Sequence, residues 1–133
     1  MNEQITASRV TKNWTEETVR ELGDGKKIGK AGVEYVYSGE MTGASTVDYM
    51  LFYVNPDKAL FTGYENIVLT GPGLTGTLVL RHEGVFENGA AKIDASIVAE
   101  AGSGAFSGLR GTVRIEADLS DPMKSAFILS QDA

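Results

Sequence analysis

The stretch Leu78-Val79-Leu80-Arg81-His82-Glu83-Gly84-Val85-Phe86-Glu87-Asn88-Gly89-Ala90-Ala91-Lys92-Ile93-Asp94-Ala95-Ser96-Ile97 alternates apolar and polar residues on both sides of Asn88-Gly89. That dipeptide has the composition of a two-residue hairpin, because a type I′ turn needs positive φ at both central positions. Folding the chain about it pairs Phe86 with Ala91, Gly84 with Ile93, His82 with Ala95, Leu80 with Ile97 and Leu78 with Ala99. One face is then apolar or small except for His82, and the other carries Arg81, Glu83, Lys92, Asp94, Ser96 and Glu100. A slip of one residue would turn those charges inward, so the burial of the two faces fixes the register.

Working outward, the preceding hairpin turns over Pro72-Gly73-Leu74-Thr75. A four-residue loop there pairs Leu69 with Leu78, Ile67 with Leu80, Glu65 with His82, Gly63 with Gly84 and Phe61 with Phe86. The same interior face emerges, now with Glu65 directly opposite His82. Gly63, Gly84 and Ala95 beside them project almost nothing inward, which predicts a gap. One hairpin earlier, Asn55-Pro56-Asp57-Lys58 is a turn with φ preset by Pro56. With Lys58 in the left-handed region, Val47, Tyr49, Leu51 and Tyr53 face inward and Tyr49 neighbours Glu65. The competing register buries Asp48, Met50 and Phe52, and the first is favoured because it solvates Asp48.

Across all 133 residues, sixteen glycines against three prolines punctuate segments rich in Val, Ile, Thr, Tyr and Phe. Period-two alternation predicts strands near 3–11, 26–38, 45–54, 59–70, 76–87, 91–100, 110–119 and 124–131. Asn13 to Leu22 reads either as a short helix capped by Asn13 or Thr15 or as a continuation of the first strand. Eight short strands joined by turns indicate an all-β antiparallel meander, a barrel or a sandwich, in a single domain over 1–133.

Composition narrows the function. There is no cysteine, so no disulfide, thiolate nucleophile or cysteine zinc site, and one histidine beside one glutamate is too small a ligand set for a metal. No cofactor is expected. A formal charge of −6 argues against nucleic-acid and anionic-membrane partners, which require phosphate neutralisation. No apolar run approaches the ~18 residues of a membrane span, and Met1-Asn2-Glu3-Gln4 is unlike a signal peptide, so a cytoplasmic protein is expected. Gly71-Pro72-Gly73-Leu74-Thr75-Gly76 matches the dinucleotide-binding spacing. That motif needs a helix after it, whereas Thr77 to Phe86 has strand composition.

Ser38-Gly39-Glu40-Met41-Thr42-Gly43, Ser45-Thr46-Val47-Asp48-Tyr49, Gly63-Tyr64-Glu65, Leu78 to Phe86, and Gly102-Ser103-Gly104-Ala105-Phe106-Ser107-Gly108-Leu109-Arg110-Gly111 follow one another in a familiar order. Together they resemble a bacterial family of small proteins of unknown function with an allene oxide cyclase-like β-barrel. The glycine-rich run is also similar to a loop of plant allene oxide cyclase and dirigent barrels. The resemblance spans roughly residues 33 to 115 and implies a closed eight-stranded antiparallel barrel, a homo-oligomer as in the plant relatives, and no particular activity. Two departures stand out: Ala44 where a Glu is common, and a Gly102–Gly111 run about two residues short.

The candidate site follows from the interior face. Glu65 and His82 are the candidate catalytic residues. With Tyr49, Gly63, Gly84, Tyr53 and Arg110 they form the expected ligand site, Tyr35 and Tyr37 offering further hydroxyls. Structurally, Glu65 and His82 could simply satisfy one another, since an unpaired buried polar group costs ~1–3 kcal/mol or more. Catalytically, desolvation would raise the Glu65 pKa and make an acid/base couple with the imidazole. Trp14 closes a barrel end or lies on the surface, Glu40 is a turn or rim charge, and Arg110 lies at the surface or reaches a carboxylate of the protein or of a ligand. The leading expectation is a barrel binding a small, largely apolar ligand near Glu65 and His82. The alternatives are an isomerase or cyclase using that pair, and a filled barrel acting in protein assembly.

Overall fold

Where branched and aromatic residues alternate with polar ones, the chain is extended. The computed structural model describes residues 4–117, 120, 121 and 123–131. Its strands are β1 (Gln4–Gly23), β2 (Lys26–Gly39), β3 (Gly43–Asn55), β4 (Lys58–Thr70), β5 (Thr75–Glu87), β6 (Ala90–Ile97), β7 (Gly111–Ala117) and β8 (Lys124–Gln131). Each pairs antiparallel with the next and β8 returns to β1, so the ring of eight strands is a closed barrel. The expected strands recur within a few residues, with residues 3, 118 and 119 of them outside the described set. Asn13 to Leu22 extends β1 and forms no helix, because it pairs along β2 from Asn13↔Glu34 to Glu21↔Lys27. Beyond Val10, β1 has no β8 partner, so β1 and β2 run on as a ribbon past one barrel end.

The Asn88-Gly89 turn has φ of 54° and 80° at its two central residues, and the pairs Phe86↔Ala91, Gly84↔Ile93, His82↔Ala95 and Leu80↔Ile97 form as expected. Leu78↔Ala99 does not, because β6 stops at Ile97 and Ala99–Ala101 coils into a short 3₁₀ turn.

The next hairpin needs correcting. Its loop is Gly71–Leu74, one residue earlier than the expected Pro72–Thr75, since Thr70 pairs with Thr75. Gly71 and Gly73 take φ of 85° and 95°, which supply the reversal. Every pair therefore shifts by two: Glu65 faces Leu80, Gly63 faces His82 and Phe61 faces Gly84. A shift by two preserves the face, so Glu65 and His82 both stay inside, as diagonal neighbours.

At Pro56-Asp57 the expected inward face is correct, with Val47, Tyr49 and Leu51 buried and Tyr53 half-buried. The device differs, however. Lys58 is not left-handed; a bulge at Val54, between the pairs Tyr53↔Ala59 and Asn55↔Lys58, sets the register.

A meander puts alternate turns at opposite ends of the barrel. At one end the segment between β6 and β7 folds over the interior, its second 3₁₀ turn (Gly104–Phe106) driving Phe106 into the same buried core as Met41. Ser103 ties that plug to β5 through its hydroxyl, which meets the Thr77 amide at 3.1 Å and the Thr77 hydroxyl at 2.6 Å. Leu69, Leu78, Phe127 and Leu129 complete a solid apolar core. The other end, carrying the Pro56-Asp57 and Asn88-Gly89 turns, has no such plug among the described residues.

Candidate functional site

Between the plugged core and the unplugged end lies a buried polar layer. β1 contributes Arg9, on the same face as Ile5 and Ala7. β2 contributes Tyr37, β3 Ser45 and Tyr49, β4 Glu65, and β5 His82. Glu65 and His82 are completely inaccessible, and Arg9 retains 2% exposure.

Glu65 is saturated. Its Oε1 accepts from Arg9 Nη2 at 3.1 Å and from His82 Nε2 at 2.7 Å. Its Oε2 accepts from the Tyr37 hydroxyl at 2.5 Å and from Ser45 Oγ at 2.6 Å. With His82 donating from Nε2, its Nδ1 is the acceptor for the Tyr49 hydroxyl at 3.4 Å. Tyr49 in turn accepts from Arg9 Nη2 at 3.4 Å, and Tyr37 accepts from Arg9 Nε at 3.0 Å. The Arg9 guanidinium lies over the Tyr35 ring, 3.4 Å from its centroid. No fully inaccessible side-chain nitrogen or oxygen among the described residues lacks a partner.

This layer reverses the expected electrostatics of Glu65. Burial alone pushes its carboxyl up. The Arg9 charge, the His82 hydrogen bond and the Ser45 hydroxyl together outweigh it, and the pKa falls from 4.5 to about 2. Glu65 is therefore a firmly ionised, fully engaged carboxylate rather than a proton donor near neutrality. Burial, with the Glu65 charge, raises the Tyr37 hydroxyl well above its ordinary value, and burial likewise raises Tyr49.

Arg9 and Ser45 are the layer residues that sequence reading missed, and Arg9 carries the charge. The signal was present: Ile5, Ala7 and Arg9 alternate onto one face of β1, and a buried carboxylate needs a cation.

Space exists, but not where the glycines predicted it. A Cβ on Gly63 would fall 2.1 Å from the Asp48 carbonyl oxygen and 2.9 Å from the Tyr49 ring. One on Gly84 would fall 2.5 Å from the Phe61 ring. Each glycine lies under the aromatic residue paired with it, Tyr49 over Gly63 and Phe61 over Gly84. The cavity lies instead toward the unplugged end and measures about 360 Å³. Arg9, Tyr35, Tyr49, Leu51, Phe61 and Ile93 wall its depth. Glu65, His82, Gly63 and Gly84 do not line it.

Tyr53 stands toward its mouth and donates to the Glu16 carboxylate on the β1 ribbon. Burial, and then that hydrogen bond, push the Tyr53 hydroxyl up to about 12. Trp14, 48% exposed, joins Glu16 at the mouth, which settles its place at a barrel end. Glu40 is indeed a rim group, accepting from the Thr6 amide and hydroxyl. Arg110 is exposed just before β7, at the plugged end and away from the cavity. Among the described residues no cluster of His, Cys, Asp and Glu could hold a metal ion.

The chain matches the family model described as "Protein of unknown function (DUF3224)" over residues 5–128, and it belongs to that family. A solved structure of a protein of unknown function from the same family, from Shewanella oneidensis MR-1, is similar to it. The TM-score is 0.79 at 21% identity, covering 99% of this chain and 98% of that one, which shows a shared fold. No curated protein matches the chain. No helix among the described residues is long and apolar enough to cross a membrane.

Proposed function

We propose that this family member is a binding barrel whose cavity takes one small, largely apolar ligand. The observation that supports it is the cavity of about 360 Å³ toward the unplugged barrel end. Its walls are Leu51, Phe61, Ile93 and Ile115 with the tyrosine rings. That volume lies at the lower end of the roughly 300–1,000 Å³ typical of small-molecule sites. At interior packing density it suits a ligand of about ten to fifteen non-hydrogen atoms. Each Å² of apolar ligand surface withdrawn from water contributes ~25 cal/mol toward binding. The Glu65–His82 layer is the floor that positions Arg9 and Tyr49 beneath the ligand.

The isomerase or cyclase reading draws less support. Four donors occupy the Glu65 oxygens, both His82 nitrogens are engaged, and neither side chain lines the cavity. A general base must reach the proton it abstracts, directly or through one water. Kinship with allene oxide cyclase-like barrels is part of the same proposal, supported by the ring meander and the glycine-rich Gly102–Gly111 plug. So is self-association, supported by exposed Val36, Met50, Leu60, Tyr64 and Val68 on the outer faces of β2, β3 and β4.

The test is titration with 1-aminoanthracene, a neutral fluorophore that brightens in apolar surroundings. Saturable enhancement at one site per chain is expected, with loss of at least tenfold in affinity in Ala91→Trp, which fills the cavity while keeping the circular dichroism spectrum. Equal binding by the filled variant would refute the cavity as the site.

A further inference from the structure

The polar end of the cavity is built from donors, and its charge is already balanced. Arg9 carries five N–H donors. Nε is given to Tyr37, and the two N–H groups of Nη2 go to Glu65 and Tyr49. Nη1 has no partner among the described residues, although Arg9 is only 2% exposed. Since no fully buried nitrogen is left unsatisfied, Nη1 keeps its access through the cavity that Arg9 lines. The Tyr35 ring beneath the guanidinium lines the same cavity, and its hydroxyl has no hydrogen bond among the described residues.

Two N–H groups and a hydroxyl facing an apolar chamber need an acceptor. An anion would serve poorly. The guanidinium charge is already matched by Glu65 at 3.1 Å, and a second carboxylate would leave net negative charge in a desolvated site. A neutral acceptor oxygen satisfies the same donors and leaves the balance untouched.

We infer that the ligand carries a neutral carbonyl group, as in a ketone, ester or lactone, and seats it on Arg9 Nη1 with the Tyr35 hydroxyl alongside. This rests on the reading of the cavity as an apolar ligand site. Free carbonyl compounds of about ten non-hydrogen atoms are the class that fits. Specificity against the matching acid then comes from Glu65, which repels a second carboxylate without touching the ligand.

The experiment displaces 1-aminoanthracene from the full chain with 2-nonanone, 1-nonene and nonanoate at pH 7. The ketone is expected to compete at least tenfold more tightly than nonanoate, and at least as tightly as the alkene despite its weaker drive out of water. The infrared carbonyl stretch of bound 2-nonanone is expected to move to lower frequency than in hexane. In Arg9→Lys, which keeps a cation beside Glu65 but removes Nη1, that shift should shrink. Tyr35→Phe gives a second, milder reading should Arg9→Lys not fold. Nonanoate binding as tightly as the ketone, or an unshifted carbonyl stretch, would overturn the proposal while leaving the cavity reading intact. Failure of 1-aminoanthracene itself to bind would instead sink the cavity reading.

Discussion

The two ends of the barrel are made by the same eight strands with the same inward alternation, yet one is solid and the other hollow. At the solid end, the segment between β6 and β7 folds back and delivers Phe106, 1% exposed, into the apolar core that includes Met41, Leu69 and Leu78. At the hollow end Pro56-Asp57 and Asn88-Gly89 are two-residue connections, too short to return a side chain to the interior. What fills an eight-stranded barrel is therefore decided by its connections as much as by its strands. Small residues on the strands do not by themselves make space, because a ring moves over each glycine, as Tyr49 and Phe61 do.

The largest test of that contrast is a pair of truncations. Phe106→Ala should cost ~3–5 kcal/mol in urea unfolding, whereas Phe86→Ala, at the hollow mouth and 41% exposed, should cost under ~1 kcal/mol. Equal losses would erase the distinction between the ends.

The polar layer that divides them should respond on the same scale. Arg9→Met leaves Glu65 buried without its cation and is expected to cost ~3–5 kcal/mol, while the double variant Arg9→Met/Glu65→Leu recovers much of that loss in a double-mutant cycle.

Acid probes the same layer more gently. The folded pKa of Glu65 is about 2 against an ordinary 4.5, so its ionisation stabilises the fold above pH 4.5. That contribution, of order 3 kcal/mol, is lost as pH falls from 4.5 toward 2. Urea midpoints should decline across that window in the native protein and decline less steeply in Glu65→Gln.

The smallest effects separate two alanines. Ala95→Trp, facing His82 in packed surroundings, should lose ~1–3 kcal/mol, while Ala91→Trp, beside the cavity, should stay within ~1 kcal/mol of the parent.

How much of this was legible depended on whether a local rule existed. Asn88-Gly89 admits one turn type, so its hairpin was placed pair by pair. The Gly71–Leu74 loop was not, because glycines and proline on both sides allow the reversal to start at either of two residues. Its pattern still fixed the face, since inward Leu69, Ile67, Leu78 and Leu80 tolerate a shift of two but not of one. The site was half legible. Glu65 and His82 appeared as polar breaks in an apolar face, whereas Arg9 required asking what charge would balance them across five strands. The plug could not be seen at all: Gly102 to Gly111 has no periodicity, and Phe106 is one aromatic residue in a run of small ones.

Closure of the ring also has a consequence for how the barrel is made. Seven of its strand pairings join neighbours in sequence, while β1 and β8 meet through pairs from Gln4↔Ser130 to Val10↔Lys124. Hairpins can form in the order in which the ribosome releases them, but this seam waits for the last strand. Until then the nascent sheet carries two open edges, each a template for a neighbouring chain. The seam is thus the slow, long-range step of folding. Arg9 pairs across it with Ser125, so the strand that brings the cation to Glu65 is locked in place only when synthesis of the barrel is complete.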